Sequence, residues 1–162
     1  MELASVKHIK EFGLEATVAK FNLTIRDYGH KILLKYSQID SPMGEEVVQD
    51  ARVIILEKGT WKVMCMSFRK FFNSAETHAA RIDWDSALIL EKLDGSLMQL
   101  YWDWVLNEWC VATSGTADAS GEVNNKFGTT FADLFWSTVK EKYDFNVNSL
   151  NKEYCFAFEL TT

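Results

Sequence analysis

The stretch LMQLYWDWVLNEWCVAT, residues 97–113, decides the fold of this 162-residue chain. Two runs rich in β-forming residues, 97–102 and 109–113, flank the segment 103–108, and this arrangement predicts a β-hairpin. Two further pairs of β-rich runs lie upstream, each separated by turn residues. They are 21–25 with 31–36, around Asp27-Tyr28-Gly29, and 51–56 with 61–68, around Lys58-Gly59.

Helical patterns lie at the two ends of the chain. Residues 2–12 carry Leu3, Val6 and Ile9 at helical spacing, and Gly13 suits the end of that helix. Residues 131–143 form a stronger pattern, in which Thr130 and Asp133 make a start resembling a capping box. We therefore predict a helix in each segment.

Two more strands complete the prediction. The apolar run Ala87-Leu88-Ile89-Leu90 is expected to end a strand at about Leu90. Residues 154–160 read as a strand with Phe156 and Phe158 on one face and Cys155, Ala157 and Glu159 on the other. The chain is thus predicted to be one α+β domain, with mostly antiparallel sheets and a few helices.

Composition limits the functions that fit. A net charge of −6 argues against indiscriminate nucleic-acid binding, although a local basic pocket is compatible with it. No apolar run has the length of a membrane span, and the N-terminus lacks a signal-like apolar core, so we expect a cytoplasmic protein without membrane contact. The three cysteines are far apart in the sequence and lie in apolar stretches, which favours buried free thiols.

The residues most suggestive of chemistry are EKLDGSL, 91–97. A lysine is a nucleophile only when its amine is neutral. In an extended chain Asp94 can share a face with Lys92 and orient its amine or a hydrated metal ion, and Gly95 leaves room for a nucleotide. The group fits attack on phosphorus, but the same residues also make an ordinary turn.

Several segments resemble one family in its own order. Lys92-Leu93-Asp94-Gly95-Ser96 looks like motif I of the covalent nucleotidyltransferases, which include ATP-dependent ligases and capping enzymes. The segments Ala51-Arg52-Val53-Ile54, Arg69-Lys70-Phe71-Phe72-Asn73, Val111 to Thr116 with Asp118-Ala119-Ser120, and Phe156-Ala157-Phe158-Glu159 resemble elements of bacteriophage-type RNA ligases. The last segment is similar to motif III. The chain is thus identified as a partial, ATP-grasp-like ligase adenylation domain over residues 1–162.

This resemblance implies an ATP-dependent RNA ligase for RNA repair. Lys92 would attack the α-phosphate of ATP and hold AMP, which then passes to a 5′-phosphate end that a 3′-hydroxyl seals. The RNA would be a broken strand, such as a tRNA. Arg52 and Lys70 would neutralise phosphate charge, and Phe72 would pack near the base. Asp94 and Glu159 would hold Mg²⁺ through water, and Gly95 would border the nucleotide.

Each assignment has a structural alternative. Arg52 and Lys70 also fit surface charges, Phe71 and Phe72 also fit core positions, and Glu159 also fits a residue that simply faces water. Core and hairpin packing explains the clustered tryptophans, Trp102, Trp104 and Trp109, better than base stacking does. The histidines lack metal-site spacing and are assigned no role.

The sequence also departs from the family pattern. Val53 replaces a glycine, and Ser114 stands where many relatives carry a basic residue. The given sequence ends three residues after Glu159, so motifs IV and V are expected to be missing. Three alternatives follow, in order of preference: the N-terminal part of a ligase, a split ligase completed by a second polypeptide, or a non-catalytic nucleotide- or RNA-binding remnant.

Overall fold

The computed structural model describes residues 2–124, 127–143 and 146–161. Helices and strands alternate irregularly along these ranges. In chain order they are α1 Ala4–Phe12, α2 Leu14–Phe21, β1 Leu23–Asp27, β2 Lys31–Tyr36, α3 Glu46–Asp50, β3 Ile54–Glu57, β4 Val63–Cys65, β5 Ser96–Asp103, β6 Glu108–Ala112, α4 Phe131–Lys142 and β7 Phe156–Leu160.

The strands form two sheets, and all the pairings are antiparallel. The first sheet has the order β1-β2-β3-β4, and the second has the order β6-β5-β7. The three predicted strand pairs are therefore confirmed, as is the final strand. The predicted α+β class with mostly antiparallel sheets is confirmed as well.

The first sheet is covered on both faces, which explains why β2 reads as a nearly continuous apolar run. Ile32 and Leu34 pack with Val6, Ile9 and other residues of the N-terminal helices. Leu33 points the opposite way, as the alternation of a strand requires. It joins a second core with Tyr101 and other residues of the second sheet.

The second sheet is likewise placed between two layers. Met98 and Leu100 of β5 pack against Phe135 of α4. Tyr101, on the other face of β5, packs toward the first sheet together with Ala112 of β6. The domain therefore has four layers: the N-terminal helices, the first sheet, the second sheet and α4.

A buried ion pair ties the two sheets together. The Nζ atom of Lys31, at the start of β2, lies 2.7 Å from Oδ2 of Asp103, at the end of β5. Both side chains are almost inaccessible to water, with 5% and 0% exposure. Nε2 of His30 lies 2.8 Å from the same oxygen, while the N–H groups of Val105 and Leu106 donate to Oδ1. Asp103 is thus fully engaged by partners from both sheets.

The N-terminal region differs from the prediction. Gly13 ends α1 as expected, with a φ of 87° that favours glycine, but α2 begins directly after it. Phe21, predicted to start a strand, is the last residue of α2, where it is buried with Thr17 one turn earlier. The short helix α3 was not predicted either, because five residues carry too little periodicity.

Helix α4 agrees with its predicted start. The hydroxyl of Thr130 accepts a hydrogen bond from the N–H of Asp133, and the Asp133 carboxylate accepts one from the N–H of Thr130. These reciprocal bonds satisfy two backbone donors that the first turn of a helix leaves free.

The prediction of a strand that ends near Leu90 is wrong. Leu88, Ile89 and Leu90 are 85%, 93% and 82% exposed, and the segment between β4 and β5 contains no strand. A β-rich composition forms a strand only where a neighbouring strand accepts its backbone hydrogen bonds, and none pairs with this run among the described residues.

Candidate functional site

The segment 67–72 runs without regular structure from the end of β4, and contacts from α3 and from β5 hold it. The backbone N–H of Lys70 donates to the carbonyl of Gln49 in α3, at 2.9 Å. The guanidinium of Arg69 lies 2.8 Å from Oδ1 of Asp50. At its other end, the hydroxyl and N–H of Ser67 donate to Oε1 of Gln99, at 2.7 and 3.2 Å. The segment is thus anchored to α3 and to β5.

Arg52 lies beside this segment with unused hydrogen-bonding capacity. Its guanidinium carbon is 4.6 Å from the ring centre of Phe71 and 5.9 Å from that of Phe68. Its Nη1 atom is buried and has no hydrogen-bond partner among the described residues. Because a buried donor without an acceptor is unfavourable, this cation is suited to an anionic ligand.

Lys70 and Phe72 are adjacent in space. The Nζ atom of Lys70 lies 5.0 Å from the Phe72 ring centre and 5.8 Å from that of Tyr36, and it donates to the carbonyl of Phe71. Both residues line a cavity of about 470 Å³ that also includes His78. Phe72 is partly exposed and Phe71 is 60% exposed, so neither is a buried core residue and the core alternative is wrong for both.

The EKLDGSL segment is docked on the end of β7. Ser96 pairs with Leu160, and Gly95 approaches β7 so closely that a Cβ atom there would lie 2.4 Å from the Leu160 carbonyl oxygen. The same Cβ position is 3.3 Å from Cγ of Glu159. The structure therefore brings the glycine of the motif and the glutamate of the last strand together.

The charged groups of this segment are open to solvent. Lys92, Asp94 and Glu159 are exposed. Lys92 makes no hydrogen bond or ion pair within the part of the chain that the structure describes. Ala157 and Glu159 share the exposed face of β7, as predicted, so this face has room for a ligand.

The predicted residues fall into two groups. Lys92, Asp94 and Gly95 lie with Glu159 at the ends of β5 and β7, whereas Arg52, Lys70 and Phe72 lie around the segment 67–72. No hydrogen bond or ion pair between the groups is found in the described ranges, and these ranges contain no cluster of three or more His, Cys, Asp or Glu that could hold a metal. Gln99 links the two groups, since it lies in β5 and contacts Ser67.

A pair of cysteines lies between the sheets near this link. Burial raises the pKa of Cys65 well above its usual value. Hydrogen bonding with Cys65 lowers the pKa of Cys155 to about 7, against a smaller opposing effect of burial. All three cysteines are free, and of these only Cys65 is fully buried.

The matching family model is described as RNA ligase, and it covers residues 50–162. The chain belongs to the RNA ligase family. The match includes all the candidate residues, from Arg52 to Glu159, and leaves out α1, α2, β1 and β2.

Two viral proteins are similar to this RNA ligase family member. The first, named "RNA ligase", is from Rhodothermus phage RM378 and is 30% identical over 129 residues, which cover 62% of this chain and 29% of the relative. The second, from Autographa californica nuclear polyhedrosis virus, is named "Putative bifunctional polynucleotide kinase/RNA ligase" and is 29% identical over 119 residues. These cover 66% of this chain and 17% of the relative, so the chain spans less than a third of either protein.

No solved structure matches this family member, so its ligase fold is implied by the family alone. None of the helices in the described ranges has the length and apolar character needed to cross a bilayer.

Sequence reasoning missed two residues of the site, Gln99 and Ser67. Gln99 is a lone polar residue in the apolar run of β5, and it is only 1% exposed. A polar side chain within a buried strand signals that a partner exists, but the sequence does not say which one.

The tryptophans behave as packing residues. Trp102 and Trp109 face each other across β5 and β6, with ring centres 5.5 Å apart and an interplanar angle of 74°. This edge-to-face arrangement is a common way in which aromatic pairs stabilise a hairpin. The packing interpretation is therefore confirmed for this pair.

Proposed function

We propose that this chain carries out the first step of ATP-dependent RNA ligation, with Lys92 as the nucleophile. The observation that supports this most directly is an exposed lysine amine, without a partner in the described ranges, in the motif docked beside Glu159, within a chain of the RNA ligase family. The Lys92 amine, once it has lost its proton, attacks the α-phosphorus of ATP. A P–N bond forms, the α-β phosphoanhydride bond breaks, and pyrophosphate leaves with the electron pair.

Cations of the site stabilise the charge that develops on the phosphates. In the described ranges, Arg52 has a buried donor with no partner, and the ammonium group of Lys70 contacts two aromatic rings and one carbonyl but forms no ion pair. Both cations can therefore bind phosphate oxygens without first breaking an ion pair with a carboxylate. Phe72 offers an aromatic surface to the base, because it is partly exposed beside the cavity that it lines.

The residues present fit a magnesium ion. Asp94 and Glu159 are exposed carboxylates: Asp94 precedes Gly95 in the chain, and Cγ of Glu159 lies 3.3 Å from the position of a Cβ atom at Gly95. Two carboxylates with substrate phosphates and water are a donor set that Mg²⁺ prefers. When bound, the ion would supply positive charge to the phosphates. The contribution of the chain is to leave both carboxylates exposed, one of them two residues after Lys92 and the other on the strand against which Gly95 packs.

In the later steps, AMP passes from Lys92 to a 5′-phosphate RNA end, and a 3′-hydroxyl displaces AMP to join the strands. This part of the proposal rests on family membership and on the relatives, which are named as RNA ligases. We extend it to broken RNA strands such as cleaved tRNA. Residues of a second polypeptide or of a longer chain would complete the joining site.

The test is covalent labelling. The protein is incubated with magnesium and ATP labelled at the α-phosphate, then separated on a denaturing gel. We expect a label on the wild type that is lost in Lys92→Ala, because the phosphoramide bond survives denaturation and needs this amine. Lys7→Ala is the matched control, since Lys7 is an exposed lysine outside the family match, in α1.

The labelling has two contrary outcomes. A label that persists in Lys92→Ala would assign the nucleophile to another residue. A folded wild-type chain that takes up no label with saturating ATP would show that these residues do not carry out adenylation by themselves.

A further inference from the structure

Gln99 is a buried amide at the centre of the second sheet. Its neighbours across β6 and β7 are Ala112 and Ala157, whose small side chains leave space on either side. Since Met98 and Leu100 pack toward α4, Gln99 extends from the opposite face, toward the first sheet.

The oxygen and the nitrogen of this amide differ in their hydrogen bonding. Oε1 accepts hydrogen bonds from the hydroxyl of Ser67 at 2.7 Å and from its N–H at 3.2 Å, and the thiol of Cys65 lies 3.6 Å away. Nε2 is buried and has no partner among the described residues. The bond from the Ser67 N–H favours this orientation of the amide, because turning it would place the NH₂ group against a backbone group that can only donate.

Burying Nε2 without a partner lowers the stability of the fold, so the hydrogen bonds of Gln99 to Ser67 are expected to have a function. A buried amide nitrogen without an acceptor is unfavourable, and a methionine of similar shape would avoid that loss in an otherwise apolar strand. The hydrogen bonds of the amide hold Ser67, the first residue of the segment 67–72, in a fixed position. That segment carries Lys70 and Phe72, while Gln99 lies three residues after Ser96 on the strand that begins at the nucleophile motif.

We propose that Gln99 is a positioning residue, which holds the segment 67–72 in register with the strand that follows Lys92. The inference rests on the proposed function. Gln99 sets the distance between the two groups of the site, so that Lys70 and Phe72 bind an ATP molecule whose α-phosphate reaches the Lys92 amine. It acts on ATP through the segment and does not touch the reacting atoms.

The test compares Gln99→Met with wild type in two measurements. In the first, hydrogen exchange, we expect faster exchange of the amides of residues 67–72 and unchanged exchange in β2. In the second, the ATP concentration for half-maximal labelling of Lys92 should rise on the order of tenfold. The hydrogen bonds that are lost correspond to about a tenfold change in a binding constant. The labelling rate at saturating ATP should change less, because Lys92 itself is not displaced.

Two further variants separate positioning from general stability. Ser67→Ala should raise the half-maximal ATP concentration in the wild-type background, because it removes the hydroxyl bond to Gln99. It should add nothing in Gln99→Met, where that bond is already absent. Thr17→Val is the matched control for a buried polar residue. Its hydroxyl donates to Gly13 in the N-terminal helices, so it should lower stability and leave the ATP requirement unchanged.

The outcomes distinguish this inference from the proposed function. If exchange at residues 67–72 is unchanged in Gln99→Met, or the ATP requirement stays within twofold of wild type, the positioning role is overturned. Additive effects of Ser67→Ala and Gln99→Met would also overturn it. If the wild type takes up no label, the proposed function fails, and the positioning role is then judged by the exchange data and by equilibrium binding of ATP to the same variants.

Discussion

At the scale of single residues, Cys155 shows how one neighbour changes chemical reactivity. Thiolates, not thiols, react with alkylating reagents, so a lowered pKa makes a cysteine reactive near neutral pH. Cys155 has a pKa of about 7 because it hydrogen bonds with Cys65, whereas burial raises the pKa of Cys65. Two cysteines of one cluster therefore differ sharply in reactivity.

We expect iodoacetamide to modify Cys155 first, at a rate that rises with pH and reaches half its plateau near pH 7. The sign follows from the thiolate, whose population increases as pH passes the pKa. Peptide mass spectrometry after short exposures at pH 5.5 to 9 measures this. A Cys65→Ala variant removes the hydrogen bond, so its curve for Cys155 should shift to higher pH; an unshifted curve would contradict this cause.

Residue-level features were predictable only where the residue type itself carries the information. The Lys92, Asp94 and Gly95 motif and the open face around Glu159 were visible as patterns. The role of Gln99 was not, because it depends on Ser67, a residue 32 positions away in sequence, and no local pattern encodes that contact.

At the scale of elements, the junction of β5 and β7 depends on the glycine of the motif. A Cβ atom at residue 95 would lie 2.4 Å from the Leu160 carbonyl oxygen, which is too close. Because Gly95 has no Cβ atom, β5 can start pairing with β7 at Ser96. The motif that carries Lys92 and the strand that carries Glu159 thus meet at one backbone contact.

Gly95→Ala should force the backbones of β5 and β7 apart at this point. We expect a loss of about 1–3 kcal/mol in the free energy of unfolding, as for an overpacked site. Lysyl-AMP formation should fall at least tenfold, since the segment that carries Lys92 would move away from the strand that carries Glu159. Urea unfolding and the labelling assay measure the two effects.

Gly121→Ala is the control for this change, because a Cβ atom there would meet its nearest neighbour at an ordinary 3.8 Å. If both alanine variants behave like wild type, the close approach at Gly95 is not a constraint on the protein.

Most elements were predictable, and the exceptions have physical causes. The hairpins were marked by turn residues and β-rich runs, and α4 by its capping box. The run at 87–90 has the composition of a strand but lacks a partner, and α2 was hidden because Gly13 ends one helix and starts the next. Propensity describes what a segment can form, and pairing decides what it does form.

At the scale of the whole molecule, Asp103 is the charge that joins the two sheets. Burial alone would raise its pKa, but hydrogen bonds from Lys31 and His30 lower it to about 2. An acid whose pKa is lowered by folding stabilises the protein above its unfolded pKa, near 3.8. That contribution, about 2 kcal/mol, is lost as the pH falls from about 4 to about 2.

Asp103→Asn should destabilise the protein by about 3–5 kcal/mol at pH 7, because it leaves Lys31 buried without its counter-charge. The difference from wild type should narrow as the pH falls from about 4 to about 2, because Asp103 takes up a proton in the unfolded wild type near 3.8 and in the folded protein only near 2. Urea unfolding at pH 7, 4 and 3 measures this.

Asp27→Asn is the matched control, since Asp27 and its partner Lys58 form an exposed ion pair, with side chains 50% and 45% accessible. Such pairs contribute little, so the change should be below about 1 kcal/mol. An equal effect of the two substitutions would mean that burial of the Asp103 pair adds nothing.

The layered packing has a consequence for how this protein can be divided. The RNA ligase match begins at residue 50, yet β2 precedes it and supplies Lys31 to Asp103 and Leu33 to the core shared by the two sheets. The start of the family match therefore lies inside the packed structure and not at its edge. A chain cut at residue 50 would lack Lys31 and Leu33, and it would leave Asp103 without its counter-charge and the core between the two sheets partly uncovered.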